Sequence, residues 1–180
     1  MMVLRKDQAL ADFEHPLQML KACHERIEAQ CEMLRRLASH LPDHGCDAQA
    51  QQAASNVMRY FDSAGRHHRE DEEQDLFPCL VDSAKGQNAE RVALLVRQLK
   101  QDHHEIEKAW LKLREALEVI AYGDSAPLDE LEVSRFCGMY HAHMTAEDAN
   151  LIPLAQLLLG VEALAAIGRN MAARRGISSP

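Results

Sequence analysis

Length, composition and charge exclude several classes of function before any motif is considered. The chain has 180 residues and a formal net charge of -8, which suits one well-filled domain and leaves no basic stripe for nucleic acid. Its five cysteines are an odd number without a CxxC pair, so they predict neither a disulfide framework nor a zinc ribbon. The N-terminus lacks the apolar stretch of a signal peptide. We therefore expect a cytoplasmic protein with no nucleic-acid or membrane partner.

The apolar spacing is helical almost throughout, and no stretch keeps a period of two. The first predicted helix begins after His15-Pro16, because proline suits the first turn. "LPDHGCD" then ends its pattern. The inward stripe of this helix advances in alternating steps of three and four residues and contains one histidine. Its members are Leu17, Leu20, His24, Ile27, Cys31, Leu34, Ala38 and Leu41.

The second predicted helix covers 48–75 and places a histidine and a glutamate on its inward face. We expect the following stretch, "FPCLVDSAKGQN", to be a loop because of its proline and glycine. The inward face contains Val57, Phe61, Ala64, His68 and Glu72.

The third predicted helix covers 89–122, and again one histidine interrupts an apolar stripe. That stripe contains Val92, Val96, Leu99, His103, Ile106, Trp110, Leu113, Leu117 and Ile120. The fourth begins near Pro127, and its inward face contains Val133, Phe136, Tyr140, His143, Glu147 and Leu151. A short helix over 161–175 precedes a "GISSP" tail that we expect to be loose.

Four long helices with short connections favour an all-α, antiparallel up-down-up-down four-helix bundle with a short extra C-terminal helix. We divide the chain into an N-terminal segment at 1–14, the bundle at 15–158, and a C-terminal helix and tail at 159–180. Apolar residues left on the last helix provide a surface on which a homodimer could form.

Two segments of the chain repeat one frame. "HREDEEQDLFP" at 68–78 and "HMTAEDANLIP" at 143–153 both give a histidine, a glutamate four residues later, leucine with a second apolar residue, and proline. Each half also contains one lone histidine on an earlier helix, followed three residues later by isoleucine. This pattern predicts an internal two-fold repeat.

The repeat indicates a metal site. Residues at i and i+4 of a helix lie about 40° apart around the axis and about 6 Å along it, so each His-Glu pair can converge on one point. An ionised carboxylate in an apolar interior costs several kcal/mol unless it is paired, and the inward stripes contain no lysine or arginine. A cation is the simplest partner. The candidate ligands are His24, His68, Glu72, His103, His143 and Glu147.

The types of ligand favour particular metals. Imidazole with carboxylate suits iron, manganese or zinc and argues against calcium or magnesium. Six ligands exceed the need of one tetrahedral zinc. We therefore expect two iron ions, with zinc or manganese as substitutes.

The segments "CHERI", "HREDEEQDLFP", "DHHEI" and "HMTAEDANLIP" resemble, in this order, the hemerythrin-like HHE cation-binding domain over about 15–158. The resemblance implies a non-heme di-iron centre with terminal histidines and bridging glutamates. The implied terminal ligands are His24, His68, His103 and His143, and the implied bridges are Glu72 and Glu147.

The resemblance also implies a function. We expect binding or sensing of O2, NO or a related small diatomic or anionic ligand. The alternative is a di-iron redox enzyme or an iron-handling or iron-centre repair protein.

The third predicted helix offers two neighbouring histidines as the candidate ligand. "DHHEI" offers His103 or His104, and the apolar stripe favours His103. Oxygen-carrying hemerythrins have a second histidine one turn away on this helix, whereas this chain has Leu99 and Glu107 at those places. Glu107, or His104 after a small helical rotation, could supplement the site. The departure argues against stable, reversible carriage of O2.

Overall fold

The computed structural model describes residues 13–177, and within this range it contains five helices and no strand. They are α1 (Pro16–His44), α2 (48–83), α3 (Gln87–Ala121), α4 (130–158) and α5 (Val161–Arg174). The predictions for the first twelve residues and for the last three residues of the tail lie outside the described residues.

Two of these helices contain turns of π-helix, in which hydrogen bonds span five residues instead of four. α2 consists of Ala48–Tyr60, the π-helix Phe61–Gly65, Arg66–Glu70, the π-helix Asp71–Leu76 and Phe77–Ser83. α4 consists of Glu130–Ala146, the π-helix Glu147–Leu151 and Ile152–Leu158.

The π-helices allow α2 and α4 to continue through a proline. Proline inside a regular helix removes one hydrogen bond and clashes with the carbonyl four residues back. Here the residue before each proline donates its N–H to a carbonyl five residues back, from Phe77 to Glu72 and from Ile152 to Glu147. The wider turn relieves the clash. The predicted loop after residue 76 is therefore wrong, because Phe77–Ser83 is helical.

The other helix boundaries differ from the predicted ones by smaller amounts. α1 continues through Pro42 to His44. α4 begins later than expected, where the side chain of Asp129 accepts a hydrogen bond of 2.9 Å from the N–H of Leu131 and caps the helix.

The four long helices form the predicted up-down-up-down bundle, in which α1 and α3 each pack against both α2 and α4. Its apolar core is divided into two clusters. One contains Ile27 and Ile106, and the other contains Leu20 and Leu99. His24 lies between Leu20 and Ile27 in sequence, and the histidine of α3 lies between Leu99 and Ile106. The bundle therefore places a polar layer between two apolar ones.

The last helix packs against one end of the bundle. Ile167 and Met171 of α5 are buried in the cluster that contains Leu20, whereas Val161 at its start is exposed. The homodimer remains a prediction. Among residues 13–177, no helix is long and apolar enough to cross a membrane.

Candidate metal centre

The structure brings all six candidate ligands together in the polar layer, and all six are buried. They form two groups of four, and within each group one potential ligand atom per residue lies within 4.8 Å of the others. The first group is His24, His68, Glu72 and Glu147, and the second is Glu72, His103, His143 and Glu147. Both groups contain the same two glutamates.

Each glutamate extends one carboxylate oxygen to a histidine of each group. Oε1 of Glu72 lies 3.4 Å from Nε2 of His68, and its Oε2 lies 3.1 Å from Nε2 of His103. Oε1 of Glu147 lies 3.0 Å from Nε2 of His143, and its Oε2 lies 3.1 Å from Nε2 of His24. This arrangement has the two-fold symmetry that the sequence repeat predicts.

Apart from these close contacts with one another, the described residues offer these atoms no partner. Both carboxylate oxygens of Glu72 and Glu147 and the Nε2 atoms of His24, His68 and His143 are buried without a hydrogen-bond partner there. A buried polar group left unpaired costs about 1–3 kcal/mol, and a charged one more. Two cations, one in each group, would satisfy all of these atoms. The donor set therefore fits a pair of metal ions.

Further carboxylates contact the outer nitrogens of two of the histidines, and sequence reasoning missed them. Oε1 of Glu73 lies 2.7 Å from Nδ1 of His103, and Oδ1 of Asp148 lies 3.2 Å from Nδ1 of His24. Of the two contacts, that of Glu73 is a hydrogen bond, and such a partner fixes the orientation of an imidazole and raises its basicity as a ligand. The signal was present in the repeat, because each segment has an acidic residue directly after its glutamate.

The two groups differ in the surroundings of the other two histidines, His68 in the first group and His143 in the second. Oδ2 of Asp102 lies 3.6 Å from Nδ1 of His143. Asp102 precedes the histidine of α3, and the corresponding residue before the histidine of α1 is Cys23. Nδ1 of His68 has no hydrogen-bond partner within residues 13–177. The second group therefore has more negative charge around its imidazoles than the first.

Comparison with known proteins agrees with this geometry. The family model of the hemerythrin HHE cation binding domain matches residues 15–155. The chain belongs to this family. An uncharacterized protein of Haemophilus influenzae is 27% identical over 176 residues, which cover 98% of this chain and 99% of that protein. The hemerythrin HHE domain implies a metal-binding site with histidine and glutamate ligands.

Burial and mutual contact set the protonation of this hemerythrin-type site. Burial lowers the pKa of His68 to about 3, so this imidazole is neutral. Burial and the adjacent Glu147 raise the pKa of Glu72 well above its usual value. Burial opposes ionisation of Glu147 too, but His143 and His24 hold its pKa well below the usual value. Without a cation, Glu72 therefore keeps its proton to higher pH than Glu147 does.

A pocket of about 280 Å³ leads from the surface to the site. It reaches His68, His103 and His143, and its walls contain aromatic and apolar side chains together with charged ones from α2 and α3. These walls include Phe61, Ile106, Trp110, Leu111 and Tyr140. At the mouth, Arg69 of α2 forms an ion pair of 2.9 Å with Glu107 of α3. A small molecule can therefore approach the site through this pocket.

The alternative ligands on helix three lie away from the six-residue cluster. His104 is exposed, whereas His103 is 5% exposed. The side chain of Glu107 is 45% exposed and is paired with Arg69. Tyr140 packs against Phe61 and Phe136, as its place on the inward face of α4 predicts.

Proposed function

We propose that this hemerythrin-family protein holds two iron ions between its four long helices and binds or senses O2, NO or a related small ligand there. The observation that carries the proposal is the sharing of Glu72 and Glu147 by two four-residue groups. One carboxylate that extends an oxygen to each of two groups has the arrangement of a bridging ligand.

Each residue has a distinct role in this proposal. His24 and His68 are terminal ligands of one ion, and His103 and His143 are terminal ligands of the other. Glu72 and Glu147 bridge the two. When bound, such a pair of ions supplies a redox-active centre with positions for an added ligand. Glu73 holds the imidazole of His103 in orientation through a hydrogen bond with its Nδ1 atom, and Asp148 lies beside Nδ1 of His24.

The type and number of donors support iron. Four imidazoles and two carboxylates exceed the need of a single tetrahedral zinc and suit a pair of ions that accept nitrogen and oxygen ligands. Zinc and manganese are then substitutes. The five cysteines, all unpaired, support a reducing cytosol as the location.

The pocket supports a small ligand. Its walls include Phe61 and Ile106, and its inner end lies at three of the four histidines. A ligand of a few atoms fits this approach.

Metal analysis tests the proposal. We would express the protein in iron-replete medium, purify it aerobically, and measure both its metals and its optical spectrum. We expect about two irons per chain, because the six ligands fit two ions, and near-ultraviolet absorption of oxo-bridged iron. One zinc per chain without those bands would contradict the proposal.

A further inference from the structure

A buried ion pair joins the C-terminal helix to the turn that presents Glu72. Asp71 directly precedes this glutamate and is 0% exposed. Arg175 approaches it with both terminal nitrogens, Nη2 at 2.6 Å from Oδ2 and Nη1 at 3.1 Å from Oδ1. Arg174 also donates to Oδ1 of Asp71. Two guanidinium groups thus neutralise one carboxylate beside the candidate bridge.

Other contacts fix the same helix on the same turn. Arg174 donates to Oδ2 of Asp75 at 2.7 Å, and Asn170 donates to Oδ1 of Asp75 at 2.6 Å. Asp71 and Asp75 both belong to the π-helix Asp71–Leu76. The polar contacts of α5 therefore converge on the segment that contains Glu72 and Glu73.

The position of α5 is itself well defined. Ile167 and Met171 are buried in the apolar cluster at this end of the bundle. A side chain at Gly168 would overlap the carbonyl of Phe13, so the two backbones are in close contact. Arg175 lies 5.8 Å from the centre of the Phe13 ring. Arg174, the last residue of α5, and Arg175 directly after it are thus held by a packed helix.

We infer that Arg174 and Arg175 are positioning residues of the metal site, although they lie beyond the matched family domain at 15–155. The inference rests on the proposed function. Asp71, Glu72 and Glu73 are three successive acidic residues, and their charges would repel one another. The arginines neutralise Asp71 and hold the π-helix, so that Glu72 faces both groups and Glu73 reaches His103.

The ion pairs of Arg174 and Arg175 with Asp71 belong to one half of the internal repeat. The residue before Glu147 is Ala146, which has no charge to bind. The C-terminal helix therefore supports the α2 glutamate, whereas Glu147 lies in its π-helix without such an ion pair from its preceding residue.

Titration of the apoprotein with Co²⁺ tests the inference, because the visible absorption of this ion reports its ligands. The variant combines Arg174→Gln with Arg175→Gln, and the control is Arg169→Gln, an exposed arginine of the same helix. We expect the double variant to keep its far-ultraviolet helical signal. Its affinity for Co²⁺ should fall roughly tenfold to a hundredfold, as for other partners of ligand residues, and its visible spectrum should change. The control should match the wild type.

A second pair of variants covers the case in which the double variant does not fold. Asp71→Asn keeps the size of the side chain and removes its charge, and Arg175→Gln leaves Arg174 on Asp71. We expect each to weaken Co²⁺ binding about tenfold, and the two together to cost less than the product of their separate effects, because both remove one ion pair.

The outcomes separate this inference from the proposed function. Wild-type affinity and an unchanged Co²⁺ spectrum in the variants, even with a lower melting temperature, would show that α5 has only a structural role and would overturn the inference. The proposed function would then stand, because the wild type still binds two ions. A wild-type chain that binds no Co²⁺ would overturn both.

Discussion

Glu72 and Glu147 are the residues whose substitution should affect metal and stability together. We expect Glu72→Ala or Glu147→Ala to lose metal and to lower the melting temperature of the metal-loaded protein, because binding to the native state adds to its folding free energy. Glu115→Ala is a suitable control, since this glutamate of α3 is exposed and such substitutions usually stay within about 0.5 kcal/mol. Unchanged metal content and equal melting curves for both variants would exclude a bridging role.

The protonation of Glu72 predicts a pH dependence of metal binding. Its pKa is raised by burial and by Glu147, so in the metal-free protein it retains a proton above the usual range of glutamate. A bound cation needs the ionised form. Affinity should therefore rise with pH up to the raised pKa of Glu72 and level off above it. His68, with a pKa of about 3, is already neutral there and releases no proton.

Calorimetry in two buffers with different ionisation heats measures the protons released on metal binding. Glu72→Gln should release fewer protons than the wild type, because its amide has none to lose. An affinity independent of pH across this range, with no proton release, would show that the carboxyl is already ionised without metal.

The six buried His and Glu residues could be predicted because two sequence periodicities coincide at them. Each lies on an apolar stripe, and four of them recur in the two copies of one frame. Asp102, by contrast, contacts His143 across two helices, and the stripe of its own helix does not include it. Relative rotation of packed helices determines such contacts, and no local pattern encodes that rotation.

In α2, Pro78 shows where the rule that a proline ends a helix fails. A proline after a helical pattern normally predicts a helix end, yet α2 continues to Ser83. The same frame around Pro153 behaves in the same way. The π-helix places its wide hydrogen bond at the glutamate carbonyl, so the irregularity coincides with the candidate ligand. π-helical turns are often found at functional sites, and apolar periodicity alone does not distinguish them.

We expect substitution by alanine to change stability in opposite directions at two helical glycines. Gly138 lies exposed in α4 with open space around the position of a Cβ, whereas a Cβ on Gly168 would overlap the carbonyl of Phe13. We expect Gly138→Ala to stabilise the protein by about 0.5–1 kcal/mol, because alanine is the better helix former. Gly168→Ala should destabilise it by displacing α5. Urea unfolding of both variants measures the difference, and equal stabilisation would show that α5 tolerates a shift from Phe13.

At the scale of the whole molecule, the two core clusters explain how one bundle can hold a polar centre. Leu20 and Phe77 belong to one cluster and Ile27 and Phe136 to the other, so the charged layer is enclosed by apolar layers on both sides. The bundle and its antiparallel order could be predicted from helix number and loop length. The docking of α5 through Asp71 could not, because it joins residues about a hundred positions apart.

The residues around His103 on α3 affect the expected reaction of the site with O2. One turn from His103, Leu99 is buried in an apolar cluster and Glu107 is paired with Arg69 at the pocket mouth. Within the described residues, α3 thus brings one histidine to the candidate ligand groups. The proposed ions would then be more alike, with two imidazoles each, and the pocket would give small molecules access to positions left for added ligands. We expect such a site to oxidise readily.

The iron-loaded, reduced protein should therefore react with O2 mainly to a ferric product, and azide or NO should change its spectrum. Stopped-flow mixing with O2, followed by deoxygenation under inert gas, distinguishes the two outcomes. A centre that oxidises does not recover its reduced spectrum on deoxygenation and needs added reductant, whereas an oxygen carrier recovers without one. Because the expectation depends on a single imidazole from α3, full recovery over many cycles without ferric product would show that His103 alone suffices for reversible binding.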